Sequence, residues 1–371
     1  MKTAIVHDWF AGYAGSERCV ESFTNIWPDA DVFCLFDFLN DEERGIVLKG
    51  KKPFTSFLHN WSSVKKNHRK FLPLYPYAIE QFDLSKYELI VSSSHAVAKG
   101  VLTNSNQIHI CYCHTPIRYA WDLSHQYLKE AKLTRGIKGT IAKIILHYIR
   151  IWDAGSANRV DQYIANSNYI AKRIKKIYGR DAEVIYPPVD TENFKPGTNK
   201  KDYYVTASRM VPYKKMDIIA EAFSKMPDKK LIMIGEGPEL PKIKLFSAGN
   251  IEFTGYLPPA ELSKYLAEAK AFIFAAEEDF GISVVEALSC GTPVIAYKKG
   301  GALESITENE NGMFFEEQNA DSIIEAVKKF EANPGKFDPV IVSNSAKKFD
   351  RNEFEKKIKD FVDLKCREFF G

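Results

Sequence analysis

No apolar run in this sequence is long enough to cross a bilayer. The longest, such as Ala271 to Ala276, are a few residues, where a membrane helix needs about twenty. Charge of one sign is lacking too. The 51 basic and 48 acidic residues leave a net +3, so charge alone does not argue for a nucleic-acid partner, and none is expected. Cysteine is sparse and scattered, at positions 19, 34, 111, 113, 290 and 366, which is the pattern of a reduced, cytoplasmic chain. Cys111-Tyr112-Cys113-His114 has no second Cys or His pair at ligand spacing, and a buried strand accounts for it better than a metal does. There is no GxGxxG, no P-loop, no low-complexity tract and no short repeat. Met1 to Val6 reads as the start of a strand rather than a signal peptide.

What is present is alternation. At 371 residues the chain exceeds one ordinary core, so two domains are expected. In the first half, apolar strands at Thr3–Val6, Asp31–Phe36, Leu89–Val91, Gln107–Cys113, Tyr163–Ala165 and Val184–Tyr186 alternate with helical stretches. A polar, turn-rich segment at Asn193–Lys200 marks the junction. The second half repeats the pattern with Tyr203–Ala207, Leu231–Ile234, Ile251–Phe253, Lys270–Ala275 and Pro293–Tyr297. Strands alternating with helices imply two doubly wound parallel sheets of an α/β protein. The domains are placed at 1–188 and 189–351, with a charged amphipathic helix closing the chain at 352–371.

In such sheets, ligands bind at the carboxyl ends of strands. The residues falling there include Gly12, Gly15, His95 and His114 in the first half, and Arg209, Lys214, Gly235, Gly237, Tyr256, Glu278 and Glu286 in the second. Glu278 ends a strand, and Glu286 follows with seven residues between them, inside the next helix. The amides of Gly281, Ile282 and Ser283 would form that helix's N-terminus, which favours phosphate and other electron-rich oxygens. Taken alone, the two acids also suit a helix-start acid and a solvated helix residue. Together with two cations they suit a nucleotide sugar: Arg and Lys for the diphosphate, carboxylates for vicinal hydroxyls. His114 reads as functional, while His95 suits either function or a local hydrogen bond. Nothing in this set calls for a divalent cation, and no metal or other cofactor is expected.

Two segments combine cations with apolar residues. Lys49–Lys70 carries seven Lys or Arg among Phe54, Phe57, Leu58, Trp61 and Phe71. Thr134–Trp152 carries apolar residues at helical spacing among Lys138, Lys143 and Arg150. Both suit an anionic membrane surface, and both suit an ordinary amphipathic helix.

Ser208-Arg209-Met210-Val211-Pro212-Tyr213-Lys214, Gly235-Glu236-Gly237-Pro238 and the Glu278/Glu286 pair enclosing Phe280-Gly281 resemble the retaining glycosyltransferases of family 4. Tyr112 to Tyr119, Asn166-Ser167 and Val184 to Asp190 resemble the bacterial O-antigen and lipopolysaccharide mannosyltransferases within it. The resemblance implies a GT-B fold, with two Rossmann-like domains facing a central cleft and the last helix crossing back to the first. It implies an acceptor-side first domain and a donor-binding second one. The activity implied is metal-independent transfer of a hexose, such as mannose from GDP-mannose, to a glycan or lipid-linked saccharide at the inner membrane face. A UDP-sugar donor, a non-catalytic sugar-nucleotide-binding module and an epimerase on the same architecture are the alternatives.

By the same resemblance, Arg209 and Lys214 bind the diphosphate, Glu286 the ribose and Glu278 the transferred sugar. Gly281, Ile282 and Ser283 meet sugar hydroxyls and phosphate, Gly237 and Tyr256 lie near the base, and Gly15-Ser16 closes on the diphosphate. His114 sits beside the anomeric carbon, and His95 and Arg118 lie on the acceptor side. The family often has Gly-Gly in the first loop, where this chain has Ala14-Gly15.

Overall fold

The computed structural model describes every residue except Thr198 and Pro334. Thr198 belongs to the polar junction at Asn193–Lys200, so that part of the junction lies outside the described residues. The chain divides into two compact units, residues 1–188 with 354–371 and residues 189–353.

The first unit is built on seven strands: β1 (Thr3–His7), β2 (Asp31–Cys34), β3 (Phe54–Thr55), β4 (Leu89–Ser94), β5 (Ile108–Cys113), β6 (Gln162–Ala165) and β7 (Ala182–Val184). They lie in the order β3-β2-β1-β4-β5-β6-β7, all parallel. β1, β4 and β5 are buried along their whole length. Burial on both faces is why their apolar residues come in runs rather than in alternation, although β4 ends in three buried serines. One face packs under the helix Gly15–Ile26. The closing helix Arg351–Phe370 packs on the same core through Phe354, Ile358, Val362 and Cys366. This i, i+4 spacing puts one stripe inward, where the Phe354 ring lies 5.6 Å from Tyr112 and 6.0 Å from Phe23.

The second unit has six strands: β8 (Tyr204–Ala207), β9 (Leu231–Ile234), β10 (Ile251–Gly255), β11 (Ala271–Phe274), β12 (Val294–Tyr297) and β13 (Gly312–Phe315). Their order is β10-β9-β8-β11-β12-β13, again all parallel. Met216, Ile219 and Phe223 of the helix Met216–Ser224 fill its core together with Ile323 and Val327 of Ala320–Glu331.

In each sheet the winding direction reverses once, between β1 and β4 and between β8 and β11. Those two points are where the strand ends splay and leave room for a ligand.

The basic, aromatic segment Lys49–Lys70 is not one amphipathic helix. It breaks into β3, a 3-10 turn at Phe57–Asn60, a short helix at Ser62–Asn67 and the start of a second 3-10 stretch. Leu58 is fully buried, and Phe57 and Phe71 pack on the unit's core.

Candidate functional site

In the second unit the loop after β8 is held by the loop after β9. Met210 N–H donates to the Glu236 carbonyl at 2.7 Å, and Ser208 N–H to the Ile234 carbonyl at 3.1 Å. This zipper needs glycine. A Cβ on Gly235 would come within 2.0 Å of the Ser208 carbonyl oxygen, and one on Gly237 within 2.4 Å of that of Met210. Buried Met210 anchors the loop, Arg209 is turned to solvent with its guanidinium 3.3 Å from the Tyr213 hydroxyl, and a 3-10 turn at Pro212–Lys214 presents Lys214.

Lys214 Nζ pairs directly with the Glu278 carboxylate. The two residues are far apart in sequence and meet because β8 and β11 are neighbours at the switch point. Past Glu278, buried Phe280 packs against Phe349 with ring centroids 5.4 Å apart. Gly281 turns the chain at φ +87° into the helix Ile282–Ser289. The Ile282 and Ser283 amides fall in its first turn, where helix geometry supplies no acceptor. Glu286 lies one turn further on and is buried, which rules out the solvated helix residue as its account. Tyr256, just past β10, is largely exposed.

Two residues outside the expected site shape it. Gly301 N–H donates to the Glu278 carbonyl at 2.8 Å. A Cβ on Gly301 would stand 2.3 Å from Phe280 Cα, and one on Gly300 would stand 2.4 Å from the Glu278 carbonyl oxygen. The Gly300-Gly301 loop therefore sets the height of the Glu278 backbone. The doubled glycine after a buried strand is visible in the sequence; what it packs against is not.

The first unit gathers a second set at its own switch point. Asp8, just past β1 and fully buried, accepts the backbone N–H groups of His95, Ala96, Val97 and Ala98 at 2.6–2.9 Å. Its Oδ2 also lies 3.0 Å from His95 Nδ1 in ion-pair geometry. Burial pushes the Asp8 carboxyl up, but His95, His7 and the amides outweigh it and hold it far below the usual range. His95 is raised in turn: burial opposes its charge, and Asp8 and Glu17 more than restore it.

Beside this pair runs a chain of polar groups. Glu17 Oε1 lies 3.5 Å from His7 Nε2, His7 Nδ1 lies 3.1 Å from Ser93 Oγ, and Ser93 Oγ lies 2.8 Å from His114 Nε2. Burial, with the neighbouring His95 and His7 rings, pushes His114 down to about 3, so it is neutral at neutral pH. Arg118, in the turn after β5, adds positive charge against His95. The Glu17 carboxylate also accepts Ala14 N–H at 3.1 Å and the Ser16 hydroxyl at 3.0 Å, which fixes the loop carrying Gly15. Ala14 is extended there, at φ −140°, so its Cβ brings no backbone strain where the family often has glycine. His7, Asp8 and Glu17 were not among the expected site residues. Asp8 is an acid in a loop that finds partners only in the chain leaving β4, and Glu17 is a first-turn helix acid that meets His7 only because the helix packs beside β1.

The other motif residues support this edge. Asn166 Nδ2 donates to the His114 carbonyl at 3.0 Å, and the Tyr112 hydroxyl to the Ile185 carbonyl at 2.9 Å. An Asp-x-Asp triplet, the kind of pattern that calls for a divalent cation, does occur at Asp29-Ala30-Asp31. It enters β2 at the amino end, away from the ligand edge, and Asp31 accepts the Tyr87 hydroxyl at 2.6 Å. Among the described residues no three His, Cys, Asp or Glu side chains gather as a metal site.

Residues 29–193 match the family model described as Glycosyltransferase Family 4, and residues 189–354 match Glycosyl transferases group 1. The Anabaena protein HepE, crystallised with UDP, superposes with a TM-score of 0.72 over 98% of this chain and 100% of its own, at 18% identity. This is the GT-B fold, built of two glycosyltransferase domains. A second GT-B neighbour, a lipopolysaccharide outer core galactosyltransferase, superposes at a TM-score of 0.68 over 98% of this chain and 100% of its own, at 16% identity. Among curated relatives, a GDP-mannose-dependent phosphatidylinositol monomannoside mannosyltransferase of Mycolicibacterium smegmatis is 29% identical over 208 residues. That match takes in 48% of this chain and 54% of the relative, so the chain spans about half the relative's length. The sulfoquinovosyl transferase of Arabidopsis thaliana is 31% identical over 33% of this chain and 27% of its own.

Proposed function

We propose that this GT-B protein is a retaining glycosyltransferase that moves a hexose from a nucleotide sugar to a glycan or lipid-linked saccharide acceptor. The observation that carries the reading is the Lys214–Glu278 pair at the β8/β11 switch point, set beside a helix N-terminus and buried Glu286. A cation, an anion and oriented amides at one strand edge can hold a diphosphate and a hydroxyl-rich ring together. In this reading Lys214 leaves Glu278 for the donor diphosphate, with exposed Arg209 as its second cation. Glu278 then takes the sugar hydroxyls and Glu286 the ribose. Gly237 and Tyr256 border the base. Negative charge grows on the leaving diphosphate as the sugar–phosphate bond breaks, and the two cations and the amides of Gly281, Ile282 and Ser283 stabilise it.

The first unit supplies Gly15 and Ser16 toward the donor diphosphate, His114 beside the anomeric carbon, and His95 and Arg118 on the acceptor side. Neutral His114 serves as a hydrogen-bonding partner to the reacting sugar rather than as an acid. With Glu278 engaged on hydroxyls, the acceptor attacks on the leaving group's own face, and a donor phosphate oxygen takes its proton.

GDP-mannose is the first donor to test, because the mannosyltransferase relatives are GDP-mannose-dependent by name. HepE bound to UDP favours keeping UDP-sugars in the same panel. The deciding experiment incubates the protein with a panel of nucleotide sugars, with and without lipid-linked saccharides, and follows release of free GDP or UDP by mass. Release from one donor, dependent on acceptor, supports the reading; nucleotide binding without turnover of any donor would leave a binding module.

A further inference from the structure

The helix Gly136–Ser156 of the first unit has two opposed apolar faces, and only one is used by the fold. Leu146, Ile149, Asp153 and Ser156 face inward. Asp153 is fully buried and paired with Lys99, whose Nζ lies 2.9 Å from Asp153 Oδ1 and 2.7 Å from Ser156 Oγ. Trp121 Nε1 donates to the same carboxylate at 2.7 Å. These contacts fix the rotation of the helix and turn its opposite side outward.

That outer side carries Ile137, Ile141, Ile144, Tyr148 and Ile151, which are 81%, 51%, 63%, 45% and 61% exposed. The spacing, by steps of four and three, is that of a single stripe running the length of the helix. Isolated exposed apolar residues are ordinary, but an aligned row of five marks an interaction surface. The charge around it has one sign: residues 131–152 contain Lys132, Arg135, Lys138, Lys143 and Arg150 and no Asp or Glu. Lys138 and Lys143 flank the stripe about 100° to either side, as the helical pitch of 3.6 residues places them.

We infer that this face is an interfacial anchor for an anionic lipid bilayer. The helix lies in the surface plane, with the Ile and Tyr side chains entering the acyl boundary and the flanking cations on lipid phosphates. A second copy of the chain fits less well. Pairing stripe on stripe about a two-fold axis brings like cations together, and residues 131–152 offer no acid to meet them. The other basic segment, Lys49–Lys70, is the weaker candidate, because Phe57, Leu58 and Phe71 are taken up by the core.

The test is co-sedimentation of the full-length chain with phosphatidylglycerol/phosphatidylcholine vesicles and with phosphatidylcholine alone, at low and high salt. The wild-type chain is expected to bind the anionic vesicles and to be released by salt. Ile141→Ser with Ile144→Ser should weaken binding by about tenfold or more. Lys138→Gln with Lys143→Gln should weaken it and flatten the salt dependence. Both positions of each pair are exposed, so thermal unfolding should be unchanged, which separates lost docking from lost folding. Three results would overturn the inference: no binding of the wild type to anionic vesicles, full binding by the Ile double variant, or a dimer that the Ile substitutions dissociate while vesicles are ignored. Vesicle binding needs neither donor nor acceptor, so its failure leaves the transferase reading standing.

Discussion

Glu278 is held by Lys214, the contact that donor binding would break under the proposed function, and Glu286 is buried. Replacing Glu278 by Gln keeps the shape and removes the charge. Transfer should fall by about 10²- to 10³-fold while nucleotide affinity changes little, because the lost interaction is to the sugar as it ionises. Single-turnover kinetics with a nucleotide-binding isotherm check this; equal losses in both would mean that Glu278 acts on the nucleotide by positioning Lys214 rather than on the sugar. The histidines set the acid limb of stability. His114 and His109 are pushed from 6.5 to about 3 and about 4, mainly by burial. A depressed folded value means each group's share is complete above 6.5 and is lost as pH falls towards those values. His95 runs the other way: its value is raised, so its share is present below 6.5 and is lost as pH climbs through the raised value. The unfolding midpoint should therefore drop steadily below pH 6.5. His109→Gln, away from the ligand edge, should shallow that slope, and an identical slope would count against the assignment. At this scale the sequence showed Glu278, Glu286, Lys214 and His114 through residue type and position at strand ends. It hid Asp8 and Glu17, whose roles depend on the approach of β4 and on the His7 ring.

Elements were legible where their apolar runs were long. β1, β5, β9 and β11 stand out as unbroken buried strands, whereas β3 is two partly exposed residues and β13 begins with a glycine. Neither carries enough pattern to be seen without its neighbour: β13 exists because β12 offers it an open edge, and a Cβ on Gly312 would meet the Val294 carbonyl oxygen at 2.4 Å. The loops between elements are set by similar close approaches. Gly301→Ala forces a Cβ onto Phe280 Cα and should cost about 1–3 kcal/mol. It should also weaken nucleotide binding, since the same backbone carries Glu278. Gly249→Ala, with open space around it, is the control expected to change neither. Melting curves with and without GDP or UDP distinguish the two; a silent Gly301→Ala would mean the loop relaxes freely.

Across the whole molecule, each unit closes a core of its own, and the last helix decides where one of those cores ends. Residues 354–371 belong to the first unit although 189–353 intervene in the chain. The stripe Phe354, Ile358, Val362 and Cys366 covers Phe23 and Tyr112, and Tyr112 in turn meets the His114 ring edge to face with centroids 5.1 Å apart. Ile358→Ala should therefore destabilise the first unit by about 2–5 kcal/mol. Two separate cores imply two unfolding transitions in calorimetry, one per unit. Only the second unit carries Lys214, Glu278 and Glu286, so saturating nucleotide should raise one transition by mass action, by about 2.7 kcal/mol at a hundred times Kd. Ile358→Ala should lower the other. Shifts of both transitions together, from either perturbation, would mean that the units melt as one body and that the last helix couples them.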